Sequence, residues 1–342
     1  MLIFLLRRLA ALPLVLLAIT LLIVLTMQLL SPEKRAGAFI RDPRQFRNIQ
    51  QVIRENGLDQ PFYVQYGRWL SQAASGNLGF SKASNQPVLD TILERLPATI
   101  ELTVLASLPI IAFGVWLGTL AALQKNRLVD QIARVLAVLG YSLPTFVLGI
   151  WLLVIFYGGL SLLPGAGRVS DETSILLATG DLKSYTGFIT LDALLSGRLD
   201  VLFDALAHLL LPVVTLTVVS SAQILKAMRA AMLEVLAADY VRTAHAKGLS
   251  PGRVNLKHAR RNALLTVVTL AGVTVSGLLQ GAILVEAIFA YPGIGSWGAK
   301  AATMLDFPGV LGFALVAALL TVMTNTVVDV LYALIDPRVR FE

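Results

Sequence analysis

The sequence of 342 residues contains no cysteine. This absence excludes disulfides, thiolate metal ligands and cysteine nucleophiles, and it leaves the redox compartment of the protein undetermined. Charged residues are also scarce, at 14% of the chain, whereas 56% of the residues are hydrophobic and the mean hydropathy is +0.74. A chain this apolar cannot hide its surface from water as a soluble globule, so its composition predicts a protein of the lipid bilayer.

Several catalytic patterns are missing from the sequence as well. It has no G-x-x-x-x-G-K-[ST] phosphate loop, no G-x-S-x-G elbow and no H-E-x-x-H zinc motif. The three histidines, His208, His245 and His258, are distributed over an apolar run and a basic segment. A membrane enzyme or a metal site therefore has little support, and we predict that the chain is not an enzyme and does not bind ATP through a phosphate loop.

Apolar runs are what the chain has in abundance. About 20 residues are enough to cross the hydrocarbon of a bilayer as a helix, and the sequence therefore predicts an all-α, polytopic membrane protein with six transmembrane helices. The first run lacks a small-residue cleavage site, so we expect a retained helix rather than a signal peptide. The predicted spans are Leu9–Leu30, Ala98–Leu123, Val135–Tyr157, Leu206–Leu225, Ala263–Val285 and Val310–Ile335.

These spans divide the chain into three parts. Residues 1–30 form an N-terminus and first helix, 31–97 form a polar extracytoplasmic segment with small helices, and 98–342 form the transmembrane core. Lys and Arg concentrate in the connections that share a side with the N-terminus, above all in 226–262, which predicts that both termini face the cytoplasm. The net charge of +7 could suggest nucleic acid as a partner. However, no basic face is interleaved with aromatic residues, so nucleic-acid binding is not expected.

The segment Asp239–Arg261 connects the fourth and fifth predicted spans. A helix is predicted from Asp239 to Lys247, with an acid at its start, Lys at its end and a stop at Gly248. A second helix is predicted to begin at once, with Ser250 as N-cap and Pro251 at the first helical position. Such a basic elbow facing the cytoplasm could bind a partner protein or anionic membrane lipid, and the residues alone leave both alternatives open.

The fourth and fifth spans carry hydroxyl and amide groups but no Asp, Glu, Lys or Arg. The missing charges disfavour a self-sufficient secondary transporter or channel. Polar side chains in a membrane helix either line a wet cavity or hydrogen-bond to their own helix, and both alternatives remain. Glu286 follows the fifth span, where a carboxylate that reaches water is favoured over one on a solute path. The candidate residues for a translocation path are Ser220, Ser221, Gln223, Thr274, Ser276, Gln280 and Glu286.

Small residues predict where helices approach each other closely. Gly114 and Gly118 lie four positions apart in the second span, and the fifth span has the pairs Gly272 with Ser276 and Gly277 with Gly281. Beyond the fifth span, Pro292 and its neighbouring glycines predict a turn, and Phe289 and Tyr291 suit the membrane interface or a re-entrant segment at a pore mouth.

Residues 239–262 resemble the cytoplasmic EAA loop of bacterial ABC-importer permeases. That pattern is E-A-A, three residues and then G, and here the corresponding positions read Arg242-Thr243-Ala244 followed by Gly248. The glutamate is missing, but DYVRTA-x-AKGL is similar to the variant found in the peptide and nickel branch of the family. The similarity extends to Val254, His258, Ala259, Arg261 and Asn262, whereas Arg260 stands where that branch has an apolar residue.

The resemblance to this branch, and in particular to dipeptide permease B-type subunits, extends through most of the chain and is weakest in 31–55. The similar stretches are RRL at 7–9, NGLDQPFYVQY at 56–66, GNLGFS at 76–81, GYSLPTFVLG at 140–149, AHLLLPVVTL at 207–216, EAIFAYPGIG at 286–295 and DVLYALIDPRVR at 329–340.

The resemblance implies the fold of a type I ABC importer in the bacterial cytoplasmic membrane. It also implies the partners: a homologous second permease subunit, two ATPase subunits that bind ATP and Mg, an extracytoplasmic solute-binding protein, a peptide substrate and membrane lipid, with no cofactor in this chain. Cargo such as nickel, glutathione or oligosaccharide stays open. The coupling helix that would contact an ATPase comprises Asp239, Tyr240, Arg242, Thr243, Ala244, His245, Ala246, Lys247, Gly248 and Leu249.

Overall fold

A computed structural model describes residues 2–36, 48–180, 182–279 and 282–335. Side chains are described from residue 10 onward in the first helix and up to residue 330 in the last helix. The first part of the chain contains α1 (Leu2–Met27), α2 (Pro32–Ala36), α3 (Ile49–Glu55), α4 (Phe62–Ala74), β1 (Phe80–Ser81) and β2 (Gln86–Pro87). The two strands pair antiparallel, with Phe80 opposite Pro87.

Long helices follow the hairpin. They are α5 (Val88–Leu123), α6 (Leu128–Ser142) and α7 (Thr145–Leu152), which continues as a π-helical segment (Leu153–Gly159). Next come α8 (Asp171–Thr179), α9 (Ile189–Leu195), α10 (Leu199–Leu236) and α11 (Asp239–Ala246). The chain then forms α12 (Pro251–Arg253), a π-helical segment (Val254–Ala259), α13 (Arg260–Leu279), α14 (Ile283–Ile288), α15 (Ile294–Thr303) and α16 (Phe307–Ile335).

Five helical stretches within the described ranges are long and apolar enough to cross a membrane, and a bent pair raises the number to as many as six. The five stretches are Ala10–Met27, Val88–Leu123, Leu199–Leu236, Pro251–Leu279 and Phe307–Val330. The predicted all-α, polytopic fold is therefore confirmed. Three of these stretches extend well beyond a predicted end, because the predicted bounds followed the apolar residues alone and the helices continue into polar sequence.

The third predicted span, Val135–Tyr157, differs from one straight helix. It consists of α6 and α7, which meet at an angle of 100°. The break lies at Pro144, which has no N–H for a helical hydrogen bond and keeps Leu143 in an extended conformation with φ −78° and ψ 122°. The apolar run is continuous through this point, so its hydropathy gave no sign of the bend.

The chain separates into two compact units. One comprises Met1–Thr99 and Pro292–Met323, and the other comprises Ile100–Tyr291 and Thr324–Glu342. In the first unit, the carboxylate of Asp306 accepts hydrogen bonds from Ser81 Oγ (2.5 Å) and Ala83 N (3.0 Å) of the hairpin, and from Gly309 N (3.2 Å) in the first turn of α16. One buried carboxylate thus caps a long helix and fixes the hairpin.

The second unit is built around α10, which packs against α6, α7, α9 and α13. A Cβ atom at Gly118 of α5 would lie 2.7 Å from Leu225 O of α10, and one at Gly272 of α13 would lie 2.3 Å from Val328 Cγ1 of α16. Only glycine permits these approaches, as the small-residue pattern predicts. Gly277 differs, because a Cβ there would meet no described atom within 4 Å. Its predicted partner Gly281 lies outside the described residues.

Candidate functional site

The basic elbow at 239–250 has the predicted helix and turn. Helix α11 ends at Ala246, Lys247 is its C-cap, and Gly248 has φ +77°. Gly248 N donates to His245 O at 2.9 Å and Leu249 N donates to Ala244 O at 3.3 Å, which is the paired hydrogen-bond pattern of a Schellman motif. Because this motif needs a residue in the left-handed region, the glycine determines where the helix stops.

The inner face of α11 attaches the helix to its own chain. Val241 and Ala244 are buried together with Val254, and Val235 and Leu249 pack against them. The Tyr240 hydroxyl accepts a hydrogen bond of 2.7 Å from Asn262 Nδ2. Ala244, one of the residues predicted to form the coupling helix, is therefore only 9% exposed and belongs to this inner cluster.

The outer face of α11 is exposed and carries more positive than negative charge. Arg242 forms an ion pair with Asp239, one turn earlier on the same helix. The exposed residues among those predicted for coupling are Asp239, Tyr240, Arg242, Thr243, His245, Ala246, Lys247 and Gly248, and Leu249 is partly exposed. A short helix that is fixed on one side and basic on the other can be docked by an acidic surface as a rigid body.

The second predicted helix of the elbow begins as the sequence indicates. Ser250 is the N-cap of α12 and Pro251 occupies the first helical position. The Ser250 side chain makes no capping hydrogen bond among the described residues. Since Pro251 lacks an N–H, the proline rather than the serine hydroxyl sets the start of this helix.

The residues predicted to line a translocation path do not share one surface. In α10, Gln223 is exposed, Ser220 is partly exposed and Ser221 is buried. In α13, Thr274 is partly exposed and Ser276 is buried, and Gln280 lies outside the described residues. Several hydroxyls in these helices bond to their own backbone, for example Thr215 Oγ1 to Leu211 O at 2.8 Å and Thr274 Oγ1 to Leu270 O at 2.9 Å. The self-bonding alternative therefore holds for these threonines.

A different stripe of α13 faces outward. Thr266, Thr269, Val273 and Gly277 are exposed and follow one another at intervals of three or four residues, so they lie on one side of the helix. Thr266, Thr269 and Val273 line a shallow groove together with Leu265 and Leu270. Sequence reasoning missed this stripe because it selected polar residues singly. The helical spacing of small and hydroxyl side chains was the signal that could have found it.

Glu286 and its neighbours are more buried than the sequence suggested. The carboxylate of Glu286 was expected to reach water, but its relative exposure is 0%. Phe289 and Tyr291, expected at the membrane interface or a pore mouth, are 2% and 1% exposed. The turn after α14 packs these side chains inside the second unit, because an aromatic pair next to Pro292 can fill a core as well as it can anchor at a membrane surface.

A buried hydrogen-bond network around Glu101 was not predicted. Glu101, in the first half of α5, accepts from Arg168 Nη2 at 2.5 Å, from Thr190 N and Oγ1 at 2.8 and 2.7 Å, and from the Tyr291 hydroxyl at 3.3 Å. Arg168 Nη2 also donates to Gly187 O at 3.0 Å. Burial is the main cause that raises the pKa of Tyr291 well above its ordinary value, and the negative charge of Glu101 is the second. The tyrosine therefore stays a neutral hydrogen-bond donor.

A second buried carboxylate lies near the start of α6. Asp130 is fully buried and accepts two hydrogen bonds from Arg229 of α10, at 2.6 and 2.8 Å, and one from Asn126 N at 2.9 Å. The bidentate geometry fixes α6 against α10. Since α10 leads directly into α11, this ion pair connects the base of the elbow to the helices of the second unit.

The described residues contain no group of three or more His, Asp or Glu side chains that could hold a metal ion. The described structure instead combines long apolar helices with a short, exposed basic helix, α11, that follows directly after one of them. This combination defines a polytopic membrane protein with a basic helix beside its long apolar helices.

Comparison with known proteins identifies the family. The chain belongs to the binding-protein-dependent transport system inner membrane components, which match residues 114–341, and the N-terminal component of the same systems matches residues 1–103. It is a multi-pass permease subunit of an ABC importer in the inner membrane. ATP hydrolysis takes place in separate subunits, and a binding protein presents the solute. The predicted family and the predicted role as a permease without an ATPase are confirmed.

Three relatives show how far the similarity extends. A probable D,D-dipeptide transport system permease of Escherichia coli K12 is 43% identical over 85% of this chain and 84% of its own length. A di/tripeptide transport system permease of Pseudomonas aeruginosa is 42% identical over 85% of each chain. A dipeptide transport system permease of Alkalihalophilus pseudofirmus is 36% identical over the full length of both chains.

Proposed function

We propose that this chain forms half of the translocation pathway for dipeptides or short oligopeptides, beside a homologous but different permease subunit. The three relatives above support the cargo, since each is described as a permease for dipeptides or for di- and tripeptides. The absence of Asp, Glu, Lys and Arg from the fourth and fifth predicted spans also suits a cargo with charges at both ends, because a fixed charge would trap one end of a peptide.

The proposal places both termini and α11 in the cytoplasm. The excess of Lys and Arg in the connections on that side supports this orientation. It also assigns 1–30 to an N-terminus and first span, 31–97 to the extracytoplasmic side, and 98–342 to the transmembrane core of the permease. Membrane lipid then contacts the apolar faces of the spans.

Helix α11 is the element proposed to receive the stroke of an ATPase. One observation carries this role: Val241 and Ala244 fix the helix to its own chain while its basic face stays open. Arg242, His245 and Lys247 would meet acidic side chains in a groove of one of two ATPase subunits, which bind ATP and Mg. Closure of the ATPases would move α11 as a lever and turn the pathway outward, so the binding protein can release its peptide.

For the translocation path, we propose those predicted residues that are at least partly exposed in the structure, which are Ser220, Gln223 and Thr274. The exposed α13 stripe, Thr266, Thr269, Val273 and Gly277, joins them. Ser221, Ser276 and Glu286 are buried and would act by shaping the helices behind the path. Gln280 stays a prediction from the sequence.

The experiment reverses charge on α11 and measures peptide uptake. His245→Glu and Lys247→Glu change the basic face, and Arg253→Glu, an exposed residue of the same segment outside α11, is the matched control. The complete importer in proteoliposomes, with ATP inside and binding protein outside, is assayed with a labelled dipeptide. We expect roughly a tenfold loss of uptake for the α11 variants and little loss for the control.

Equal losses in all three variants would indicate a general attraction of the segment to anionic lipid and would overturn the coupling role. The same vesicles test the cargo by competition with unlabelled dipeptide, glutathione, nickel and an oligosaccharide. Inhibition by the dipeptide alone is the expected result. Stronger competition by one of the other solutes would replace the peptide assignment and leave the role of α11 unaffected.

A further inference from the structure

The first unit contains a partly enclosed cavity of about 190 Å³. Its lining combines apolar side chains with amides, an indole and two guanidinium groups. Its lining comes from the end of α1, from α2, α3 and α4, and from the start of α16. The lining residues on which the argument depends are Val24, Met27, Arg35, Arg68, Trp69 and Phe307.

The cavity lies at the ends of two candidate membrane spans. Val24 and Met27 belong to the last turns of the span Ala10–Met27, and Phe307 begins the span Phe307–Val330. The neighbouring Tyr66 of α4 reaches about a turn deeper, where its hydroxyl bonds to Leu17 O at 3.1 Å and lies 2.9 Å from Thr20 Oγ1. The cavity is therefore at the level where hydrocarbon gives way to lipid headgroups.

Two buried donors of lining residues have no hydrogen-bond partner among the described residues. Arg35 is 6% exposed and its guanidinium donates to Gln28 Oε1 (2.7 Å), Gln65 Oε1 (3.0 Å) and Leu58 O (3.1 Å), but its Nε is unpaired. The indole Nε1 of Trp69 is buried and unpaired as well. An unsatisfied buried donor is costly, so two donors in one lining favour a bound acceptor that the described residues do not supply.

The charge of the lining shows which acceptor fits. Arg35 and Arg68 outnumber the single acid Glu55, whose carboxylate accepts from Gln51 Nε2 at 2.7 Å. Gly57, with φ +63°, makes room for Arg68, because a Cβ there would lie 2.5 Å from Arg68 Nη1. A ligand that satisfies this lining has an anionic oxygen group at one end and apolar groups at the other.

We propose that this cavity binds the headgroup of a membrane phospholipid. The phosphodiester oxygens accept from Arg35 Nε and Trp69 Nε1 with Arg68 as a further cation, and the acyl chains lie along Val24 and Phe307. With the orientation under Proposed function the lipid belongs to the outer leaflet, but the binding site itself does not depend on that orientation or on the cargo.

The test measures phospholipid retained by the purified importer complex after detergent washing and re-addition of phosphatidylglycerol, counted by native mass spectrometry. Trp69→Phe removes only the indole donor and keeps a ring beside Tyr66, with which Trp69 stacks at 6.1 Å. Arg35→Lys removes Nε and keeps the charge. The matched controls are Trp151→Phe, at an exposed residue outside the cavity, and Arg54→Lys, at an exposed residue of α3 outside the lining.

We expect one phospholipid per complex to survive washing in the wild type and in both controls, and roughly tenfold weaker retention in the two cavity variants. Variants that retain lipid as the controls do would overturn the proposal. Displacement of the lipid by an equal concentration of inorganic phosphate would also overturn it, since the site would then serve a soluble anion. Dipeptide uptake is measured with the same complexes. Uptake tests the transport assignment and lipid retention tests the cavity, so a failure of one proposal can be told from a failure of the other.

Discussion

The loop 160–198, called the outer loop because the proposed orientation places it outside, and the elbow, 239–250, both belong to the second unit and are held in place by different means. In the outer loop, Asp192 accepts from Thr186 N and Oγ1 at 2.9 and 2.7 Å and from Gly187 N at 3.0 Å, while Glu101 binds Arg168 and Thr190. Burial raises the pKa of Asp192, but these hydrogen bonds outweigh it and hold the pKa below its ordinary value. The outer loop is thus fixed by saturated carboxylates.

The elbow instead relies on a few apolar side chains and a glycine turn. Val241 and Ala244 are its buried residues and pack against Val254 of the following segment, and most of its polar side chains point outward. The difference follows from what each region must leave free. Charges that are consumed by internal hydrogen bonds make a loop rigid, whereas charges that remain exposed are available to a partner.

Removal of Glu101 should cause the largest loss of stability, because it breaks the hydrogen bonds that hold the outer loop. Glu101→Ala leaves Arg168, whose side chain is 13% exposed, without its carboxylate, and the loss of one partner of a buried pair costs about 3–5 kcal/mol. We expect a much lower unfolding temperature of the purified complex and early cleavage by protease in the outer loop. The control is Glu94→Ala, at an exposed glutamate of the same helix. Similar unfolding of both variants would refute the anchoring role of Glu101.

A smaller effect is expected from the glycine turn of the elbow. Gly248→Ala places a side chain at φ +77°, where a Cβ meets no described atom within 4 Å, so the cost of about 1–2 kcal/mol is purely conformational. Hydrogen exchange of the α11 amides should become faster while the outer loop is unchanged.

Gly252→Ala is the matched control for this change. Gly252 belongs to α12, where alanine is acceptable, and a Cβ there also meets no described atom within 4 Å. Faster exchange in both variants would show that the left-handed turn has no special role in holding α11.

These two regions also differ in how well the sequence predicted them. The stop of α11 before Gly248 was predictable because its signals are local: a lysine at the end of the helix, a glycine and a following Ser-Pro. The Glu101 network was not, because its partners Arg168, Thr190 and Tyr291 are distant in the sequence and meet only in the fold. The bend does have a local signal, Pro144, but the continuous apolar run around it concealed that signal.

The candidate translocation path shows the same limit of prediction from sequence. Polar residues in α10 and α13 were selected by type, yet Ser221 and Ser276 turned out to be buried. Whether a membrane hydroxyl faces a cavity, a neighbouring helix or its own backbone depends on the rotation of the helix, and that rotation is set by close contacts such as those at Gly118 and Gly272. Residue type alone carries no such information.

The smallest effect on stability should come from Arg242→Ala. This variant tests whether the exposed charges of the elbow contribute to transport and not to folding. The side chains of Arg242 and Asp239 are 74% and 88% exposed, so the ion pair contributes at most about 1 kcal/mol to the folded state. The unfolding temperature of the complex should therefore hardly change. ATP-driven uptake should nevertheless fall, because in the proposed docking Arg242 meets acidic side chains of an ATPase groove, and the fall should exceed that of Arg253→Ala measured in the same vesicles. A drop in unfolding temperature comparable with that of Glu101→Ala would mean that the elbow, like the outer loop, is held by its charges.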